Sequence, residues 1–485
     1  MAFGASRFNQ ATLYAFRYIV GYGFLIGLLL FIVTVDIGNI PNGLSQAEMS
    51  QAVSSNAIHF SWDFGWIING IYNFIQQLAV EAFGLSRLSL IVPSLIFGTM
   101  TIVTFTLTIR HWFRESVAIV ATAIVATSVP FVSMLRSGTP DIMVPFWTIL
   151  LLYGAVRLLV KRDKAFGWKL LIVLASVGLL CTPYGIYPLV ITFSSALFHP
   201  HVRSRVRHIK PHRIVLLVGV AAMGVAPLVI HLIMTPSSLS TLVGSEMIQG
   251  FFVHPRQNIA AFYDMYLHVQ KSGFSGTILV PVFNIASLSL MVLGVLRSLK
   301  DRFTARSYVL LPWALLTLLT AIVAPTLNVL VLVPASLLIA IGIDTLIVEW
   351  YSLFPRNPYA RVAGLIPLTI LFIGISLGNI SHDLNNYAYI TNPFYTQSLQ
   401  AIQSSLVIEG NHSVTLVTSP SELAFYSILK KEHGLLKVTT SAPKEVTEPV
   451  FVIPNSKVSY AAVPSRILTS EYKDNSVTLR IYRPQ

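Results

Sequence analysis

The sequence predicts a mainly α, polytopic membrane protein of about eleven transmembrane helices, followed by a small C-terminal α/β domain outside the membrane. Three observations lead there. Hydrophobic residues fill 54% of the 485 positions and charged residues only 11%, against roughly 25% charged in soluble domains. Apolar stretches close to the ~20 residues that cross a bilayer core recur as far as residue 380. The basic residues, in net excess at +13, gather in alternate loops.

The stretches run near 14–35, 86–109, 116–134, 141–160, 168–181, 184–198, 213–235, 275–296, 307–323, 326–348 and 362–380. The first is read as a retained span. Its apolar run from Tyr18 to Val35 exceeds the roughly 7–15 residues of a signal-peptide core, and no small-residue cleavage site follows. The fifth and sixth are short, divided by Thr182-Pro183-Tyr184-Gly185, and could form one bent element or two. Loop charge decides for two. With Arg7 and Arg17 cytoplasmic, the inside loops hold 20 Lys or Arg, and the outward segments before residue 387 hold four: Arg87, Arg136, Arg256 and Lys271. That asymmetry is the positive-inside pattern of a cell-membrane protein. The run Arg203–Arg213 is then a topology determinant against anionic inner-leaflet lipid, and no nucleic-acid partner is expected. A single cysteine, Cys181, excludes an intrachain disulfide and a cysteine-based zinc cluster.

The same alternation places the segment 387–485 outside. Its character changes to alternating strands at Val414–Val417, Val450–Ile453 and Val477–Tyr482, with helical patterns at Thr396–Leu406 and Ser421–Lys431. About 100 residues suffice for a small α/β domain. Asn411-His412-Ser413 fits a glycosylation sequon, relevant only in a eukaryotic secretory setting.

The first outward loop, 36–86, carries two helical patterns, Ser45–Ile58 and Trp66–Phe83. The second offers Trp66, Ile67, Ile71, Phe74, Ile75 and Leu78 as an apolar face suited to the membrane interface. Acidic residues collect on this side: Asp36, Glu48, Asp63, Glu81, Asp141, Glu246, Asp264 and Asp383. A carboxylate at a span end is costly unless hydrated, paired or functional. Glu48 reads either as a site residue or as a solvated carboxylate favoured by a helix N-terminus. Asp141 reads either as a site residue or as the ion-pair partner of Arg136.

Residues 39–50, Asn-Ile-Pro-Asn-Gly-Leu-Ser-Gln-Ala-Glu-Met-Ser, resemble the first-loop signature of GT-C-fold integral-membrane glycosyltransferases. The similarity is to the protein O-mannosyltransferase and aminoarabinose transferase relatives (glycosyltransferase families 39 and 83), whose pattern is roughly Pro-x-Gly-Leu-x-x-Asp-Glu-Ala. Phe83–Ser94, Arg136–Met143 and the hairpin Gly178–Gly185 resemble later segments of the same family. The resemblance covers about residues 14–200. The family's acidic pair is here Ala47-Glu48, and Pro183 stands near where many relatives carry lysine. Three readings stay open: Glu48 works alone, Asp36 or Asp141 supplies the second carboxylate, or activity is lost.

The resemblance implies an inverting transfer of a hexosyl or pentosyl unit from a polyprenyl-phosphate donor. The acceptor would be a hydroxyl or amine of a lipid, glycan or protein on the outer side of the membrane. A general base must take the acceptor's proton, for which Glu48, Asp141 and Asp36 are the candidates. The leaving phosphate needs positive charge, from Arg136 and Arg87 first, then Arg256 and Lys271. A divalent cation, Mg or Mn, is the other source, with Glu48 and Asp141 as its expected ligands. His59, Asp63, His254 and His268 are additional candidates. Two readings from other classes compete: a lipid-linked glycan flippase, which predicts charges inside the spans, and a catalytically silent envelope scaffold.

Overall fold

The structure is a computed structural model of the chain. It describes residues 4–34, 44–57, 64–160, 165–198, 211–267, 270–271, 278–279, 282–325, 328–353, 358–389, 395–396, 398–410, 412–441, 443, 446–453, 456, 464–469 and 477–484. The expected site residues Asp36, His59, Asp63 and His268, the sequon's Asn411 and most of the basic loop after residue 198 lie outside these.

In chain order the first half holds α1 (Gly4–Thr34), β1 (Leu44–Ser45), α2 (Gln46–Asn56), α3 (Gly70–Phe83), α4 (Arg87–Trp112), α5 (Glu115–Ala126), α6 (Val129–Leu135), α7 (Met143–Val160), α8 (Ala165–Leu180) and α9 (Ile186–Phe198). There follow α10 (Pro211–Met234), the short α11 (Ser237–Val243), α12 (Ser245–Val253) and α13 (Pro255–Tyr266), and the strands β2 (Gln270–Lys271) and β3 (Ile278–Leu279). Then come α14 (Ile285–Lys300), α15 (Ala305–Val323), α16 (Asn328–Leu353) and α17 (Pro358–Tyr389).

A helix meets each of the eleven predicted stretches, with two corrections. The span expected at 275–296 starts only at Ile285, after the antiparallel β2–β3 pair, because Asn284 caps the helix there by accepting from the Ser287 N–H at 2.7 Å. The span expected at 116–134 breaks at Thr127-Ser128 and bends by 63° between α5 and α6. Both hydroxyls turn back onto the carbonyls of α5, and Pro130 starts the new helix. Among the described residues five helices are long and apolar enough to cross a membrane, or six with the bent pair. The α8–α9 hairpin is two helices, turned at Tyr184, whose φ is +64°.

The membrane core joins α4–α7 to α14–α17 through buried residues such as Phe105, Ile124, Phe146, Trp313 and Leu337. Its closest crossing is α14 on α16. A methyl group at Gly294 would run into the Leu338 carbonyl oxygen, and one at Gly342 into that of Leu290. Small residues let helix backbones approach in this way where lipid gives no hydrophobic drive.

After α17 come β4 (Tyr395–Thr396), α18 (Ser398–Glu409), β5 (Val414–Val417), α19 (Leu423–Glu432), β6 (Leu436–Thr439), β7 (Val450–Val452), β8 (Arg466–Thr469) and β9 (Val477–Tyr482). The strand order is β6-β5-β7-β9-β8. β5 runs parallel to both neighbours, and β9 antiparallel to β7 and β8. β5 is buried at every position, as a strand covered on both faces must be. The sequence pattern had not marked β6 and β8. Their outer-edge residues, Lys437 and Arg466 among them, are exposed, so neither carries a continuous apolar signal.

This C-terminal unit docks on the first loop. β4 pairs with β1, Ser45 opposite Tyr395. Leu44, Met49, Ala52, Val80, Leu85 and Leu90 share one core with Leu399, Ile402, Phe425 and Leu429. Gln403 donates to the Leu85 carbonyl at 2.6 Å.

Substituting Gly342→Val should force α14 from α16 and cost about 1–3 kcal/mol or more. Thermal unfolding in detergent reads this, and an unchanged midpoint would refute the close crossing. In the C-terminal unit, Lys437, Ser413 and Thr415 donate to the Glu448 carboxylate and hold its pKa down to about 2, Lys437 contributing most. The bound form is the charged one. Its stabilisation is therefore complete above the ordinary carboxylate range and disappears as pH falls toward 2. Glu448→Gln should flatten the stability profile between about pH 5 and 2, read by acid titration of the unfolding midpoint.

Candidate active site

The polar residues of the first loop converge on the turn between α6 and α7. Ser45-Gln46-Ala47-Glu48 forms a capping box on α2: Ser45 Oγ accepts from the Glu48 N–H at 3.2 Å, and Glu48 Oε2 accepts from the Ser45 N–H at 2.8 Å. Ser45 Oγ–H also donates to Oε2 at 3.0 Å. The other oxygen, Oε1, accepts from the Gly138 N–H at 2.8 Å. Glu48 is 3% exposed, so it is not the solvated helix-start carboxylate that the sequence allowed. Three donors offset its burial, and it ties α2 to residues 136–141.

A second clamp on that turn comes from α3. Gln76 Nε2 donates to the Gly138 carbonyl at 3.0 Å and to the Leu90 carbonyl at 2.8 Å. Leu90 lies one residue after Ser89, whose carbonyl is the one that Pro93 deprives of its helical donor. Gln51 Nε2 donates to Asn73 Oδ1 at 2.6 Å, joining α2 to α3. The helix α3 thus buries Tyr72, Asn73 and Gln76 and exposes Ile71, Phe74, Leu78 and Phe83. Polar inside and apolar outside suits a helix lying against lipid.

Two directed hydrogen-bond chains meet at Ser137, one ending on its carbonyl and the other running from its hydroxyl to Asp141. Ser94 Oγ–H donates to the Ser137 carbonyl at 2.6 Å, so the Tyr72 hydroxyl, 2.8 Å from Ser94 Oγ, must be the donor between those two. Burial pushes the Tyr72 phenol well above its ordinary range and keeps that proton in place. Thr139 Oγ1–H donates to Asp141 Oδ2 at 2.7 Å, so Ser137 Oγ, 2.7 Å from Thr139 Oγ1, is the donor to Thr139. Asp141 itself is exposed. Among the described residues Oδ2 is its only hydrogen-bonded oxygen. The two expected carboxylates therefore meet on one turn in different states: Glu48 buried and used, Asp141 held on one side and accessible.

The expected cations disperse. Arg136 is 4% exposed and donates to the Ile32 carbonyl at 3.0 Å, near the end of α1. It is buried against α1 rather than open to a phosphate, the role the sequence offered for it. Arg87 is half-buried in the first turn of α4, one turn before Leu90, whose Cβ is 3.5 Å from where a Cβ on Gly138 would sit. Arg256 and His254 are exposed at the start of α13. The backbone of Lys271 lies in β2, and its side chain is outside the described residues. Among the described residues no three His, Cys, Asp or Glu side chains come together. Glu48 has both oxygens engaged, so the Glu48–Asp141 pair does not fit the divalent-cation site expected of it.

The sequence reading missed Tyr72, Gln76, Ser94 and Thr139. A weak signal existed, since Asn73 and Gln76 stand three residues apart on the side of α3 away from its apolar stripe.

Residues 71–231 match the family described as dolichyl-phosphate-mannose-protein mannosyltransferase. No curated protein sequence matches the chain. Among solved structures, ArnT from Cupriavidus metallidurans aligns in its apo state with TM-score 0.54 at 13% identity, over 98% of this chain and 100% of that one. Its complex with undecaprenyl phosphate aligns over 97% of this chain, also with TM-score 0.54. The oligosaccharyltransferase AglB from Archaeoglobus fulgidus, in complex with an inhibitory peptide and a dolichol-phosphate, aligns with TM-score 0.52 at 14% identity. That alignment covers 93% of this chain but only 62% of the archaeal one.

Replacing Glu48 by Ala removes the reciprocal half of the capping box and the Gly138 tether together, while the backbone N–H at 48 keeps its bond to Ser45 Oγ. The expected loss is about 2–4 kcal/mol of stability, measured by thermal or denaturant unfolding, whereas Ala47→Ser, at an exposed position, should leave it unchanged.

Proposed function

We propose that this chain, which has the GT-C fold of the membrane glycosyltransferases, transfers a sugar from a polyprenyl-phosphate carrier to an acceptor at the membrane face that holds Asp141. The observation that carries the reading is the asymmetry of the two carboxylates. A general base needs an accessible oxygen within reach of the acceptor's proton, and Asp141 offers Oδ1 while Thr139 fixes Oδ2. Support for the donor class comes from the undecaprenyl phosphate and dolichol-phosphate complexes of proteins that share the fold. The +13 charge and its loop asymmetry support a cytoplasmic N-terminus and a site on the outer side of the cell membrane.

In this reading Asp141 Oδ1 accepts the proton of the acceptor hydroxyl or amine as its lone pair attacks the anomeric carbon. The bond from that carbon to the phosphate oxygen breaks with its electron pair on the polyprenyl phosphate. A single displacement of this kind inverts the anomeric configuration. Arg87, beside the Gly138 turn, is the leading partner for the departing phosphate, with Arg256 and Lys271 behind it. Arg136 and Glu48 act as positioning residues, Arg136 toward α1 and Glu48 toward α2. No step is routed through a metal: Glu48 is spent on Ser45 and Gly138, and Asp141 alone is left to take the acceptor's proton.

Purified protein incubated with polyprenyl-phosphate sugars and an acceptor extract should release polyprenyl phosphate. Asp141→Asn should lower turnover by about 10²–10⁴-fold, the usual worth of a general base. Thr139→Val should lower kcat with little change in KM, since Thr139 orients the base without touching substrate. Turnover equal to wild type in Asp141→Asn would remove Asp141 from the chemistry. Absence of turnover with every donor would return the chain to the scaffold reading.

A further inference from the structure

A second polar site lies at the other end of the membrane bundle. The helix α4 leaves the Gly138 turn at Leu90 and Ser94 and ends at Trp112, next to Phe113. Phe113 borders a cleft of about 40 Å³ lined by Arg297, Ser298, Asp301, Arg306, Ser307 and Asp344. Three helices form it: the end of α14, the start of α15 and the middle of α16, at Ile341 and Asp344.

The side chains around this cleft are unevenly satisfied. Arg297 Nε is 2.9 Å from Asp301 Oδ2, and its Nη1 is 3.9 Å from Glu349 Oε1. Arg306 makes no ion pair within 4.0 Å among the described residues, and its guanidinium lies over the Phe113 ring at 4.8 Å from the centroid. Ser298 is 2% exposed, and its buried hydroxyl has no hydrogen-bond partner among the described residues. Such an orphan is rare and expensive inside a protein. Thr304 caps the Ser307 N–H at 3.3 Å, leaving the two preceding N–H groups of the first turn of α15 without intrahelical acceptors.

We propose that this cleft binds the head group of a phospholipid that carries both a phosphate and a primary ammonium. The phosphate is matched by Arg306, by the Ser298 hydroxyl and by the N-terminus of α15, each a donor to anionic oxygen. Asp344 and Asp301 match the ammonium. A purely anionic ligand would meet two carboxylates in the wall, and a purely cationic one would meet two guanidinium groups and the positive end of a helix. A zwitterion satisfies both halves. The volume equals about three water positions, enough for the phosphate, so the ammonium would sit at the mouth beside the half-exposed Asp301 and the glycerol outside. Leu296, Leu299 and Phe303, neighbours in sequence of the lining residues, are exposed at 58%, 52% and 77% and offer apolar side chains to the acyl chains.

Native mass spectrometry of the full chain in detergent tests this, with phosphatidylethanolamine, phosphatidylglycerol and phosphatidylcholine supplied at equal concentration. Phosphatidylethanolamine should be retained at least five-fold over both others. Arg306→Gln and Asp344→Asn should each reduce its retention at least five-fold, and Ser298→Ala, which removes a single oxygen, about three-fold. Equal retention of the three lipids would overturn the proposal, as would undiminished retention in Ser298→Ala. Inorganic phosphate that binds saturably and displaces the lipid would assign the cleft to free phosphate and overturn the lipid reading.

Discussion

The packing of the first loop, the Gly138 turn and the C-terminal unit hangs on one buried carboxylate. Glu48 stands at 3% exposure with Oε1 on the Gly138 N–H and Oε2 on Ser45. A charge in that position is tolerable only when every lone pair that faces protein finds a donor. Meeting this condition fixes three things together: where α2 begins, where residues 136–141 sit against it, and how the C-terminal unit packs. That unit rests on Met49 and Ala52 of α2 and pairs β4 with β1 at Ser45. Its docking surface is therefore set by the same cap that positions the Gly138 turn.

Burial of polar groups on the inside and apolar groups on the outside is the second constraint. In water α3 would turn Ile71, Phe74 and Leu78 inward. Here they are 53%, 47% and 48% exposed, while Gln76 is fully buried and bridges two carbonyls. The arrangement makes sense where the outer solvent is lipid, since an exposed Gln76 amide would be penalised there, whereas inside it finds two carbonyl acceptors. The α3 helix thus acts as a wall whose inner face completes hydrogen bonds that the α4 and 136–141 backbones leave open.

Much of this was legible in the sequence. Hydropathy and loop charge placed a helix at each of the eleven stretches, because every one depends on a run of apolar residues that a periodicity reading detects. The errors fall where local polar chemistry overrides hydropathy. Asn284 starts α14 ten residues later than the apolar pattern does, and Thr127-Ser128 breaks a continuous apolar run. At the site, the Ser-x-x-Glu spacing of Ser45 and Glu48 carried a capping-box signal, and the structure realises it. The partnership of Glu48 with Gly138 was not legible, since it joins residues 90 positions apart through a backbone N–H that leaves no mark on composition. The burial of Arg136 was hidden for the same reason: its acceptor is the Ile32 carbonyl.

Ala47, which stands where the sequence signature that this loop resembles has an acidic residue, takes its meaning from these geometries. Position 47 is exposed while position 48 is buried, as adjacent positions on one helical turn point in different directions. A carboxylate at 47 would face the solvent side of α2. With alanine there, and with Glu48 occupied by two elements, the accessible carboxylate of this turn is the one that Thr139 holds. In the proposed reaction the division of labour follows from that. Glu48 keeps the backbone of Gly138 in place, Gly138 sets the path to Thr139, and Thr139 presents Asp141. Proton acceptance and structural support thus reside on different carboxylates, so alanine at 47 does not require the buried Glu48 to do both.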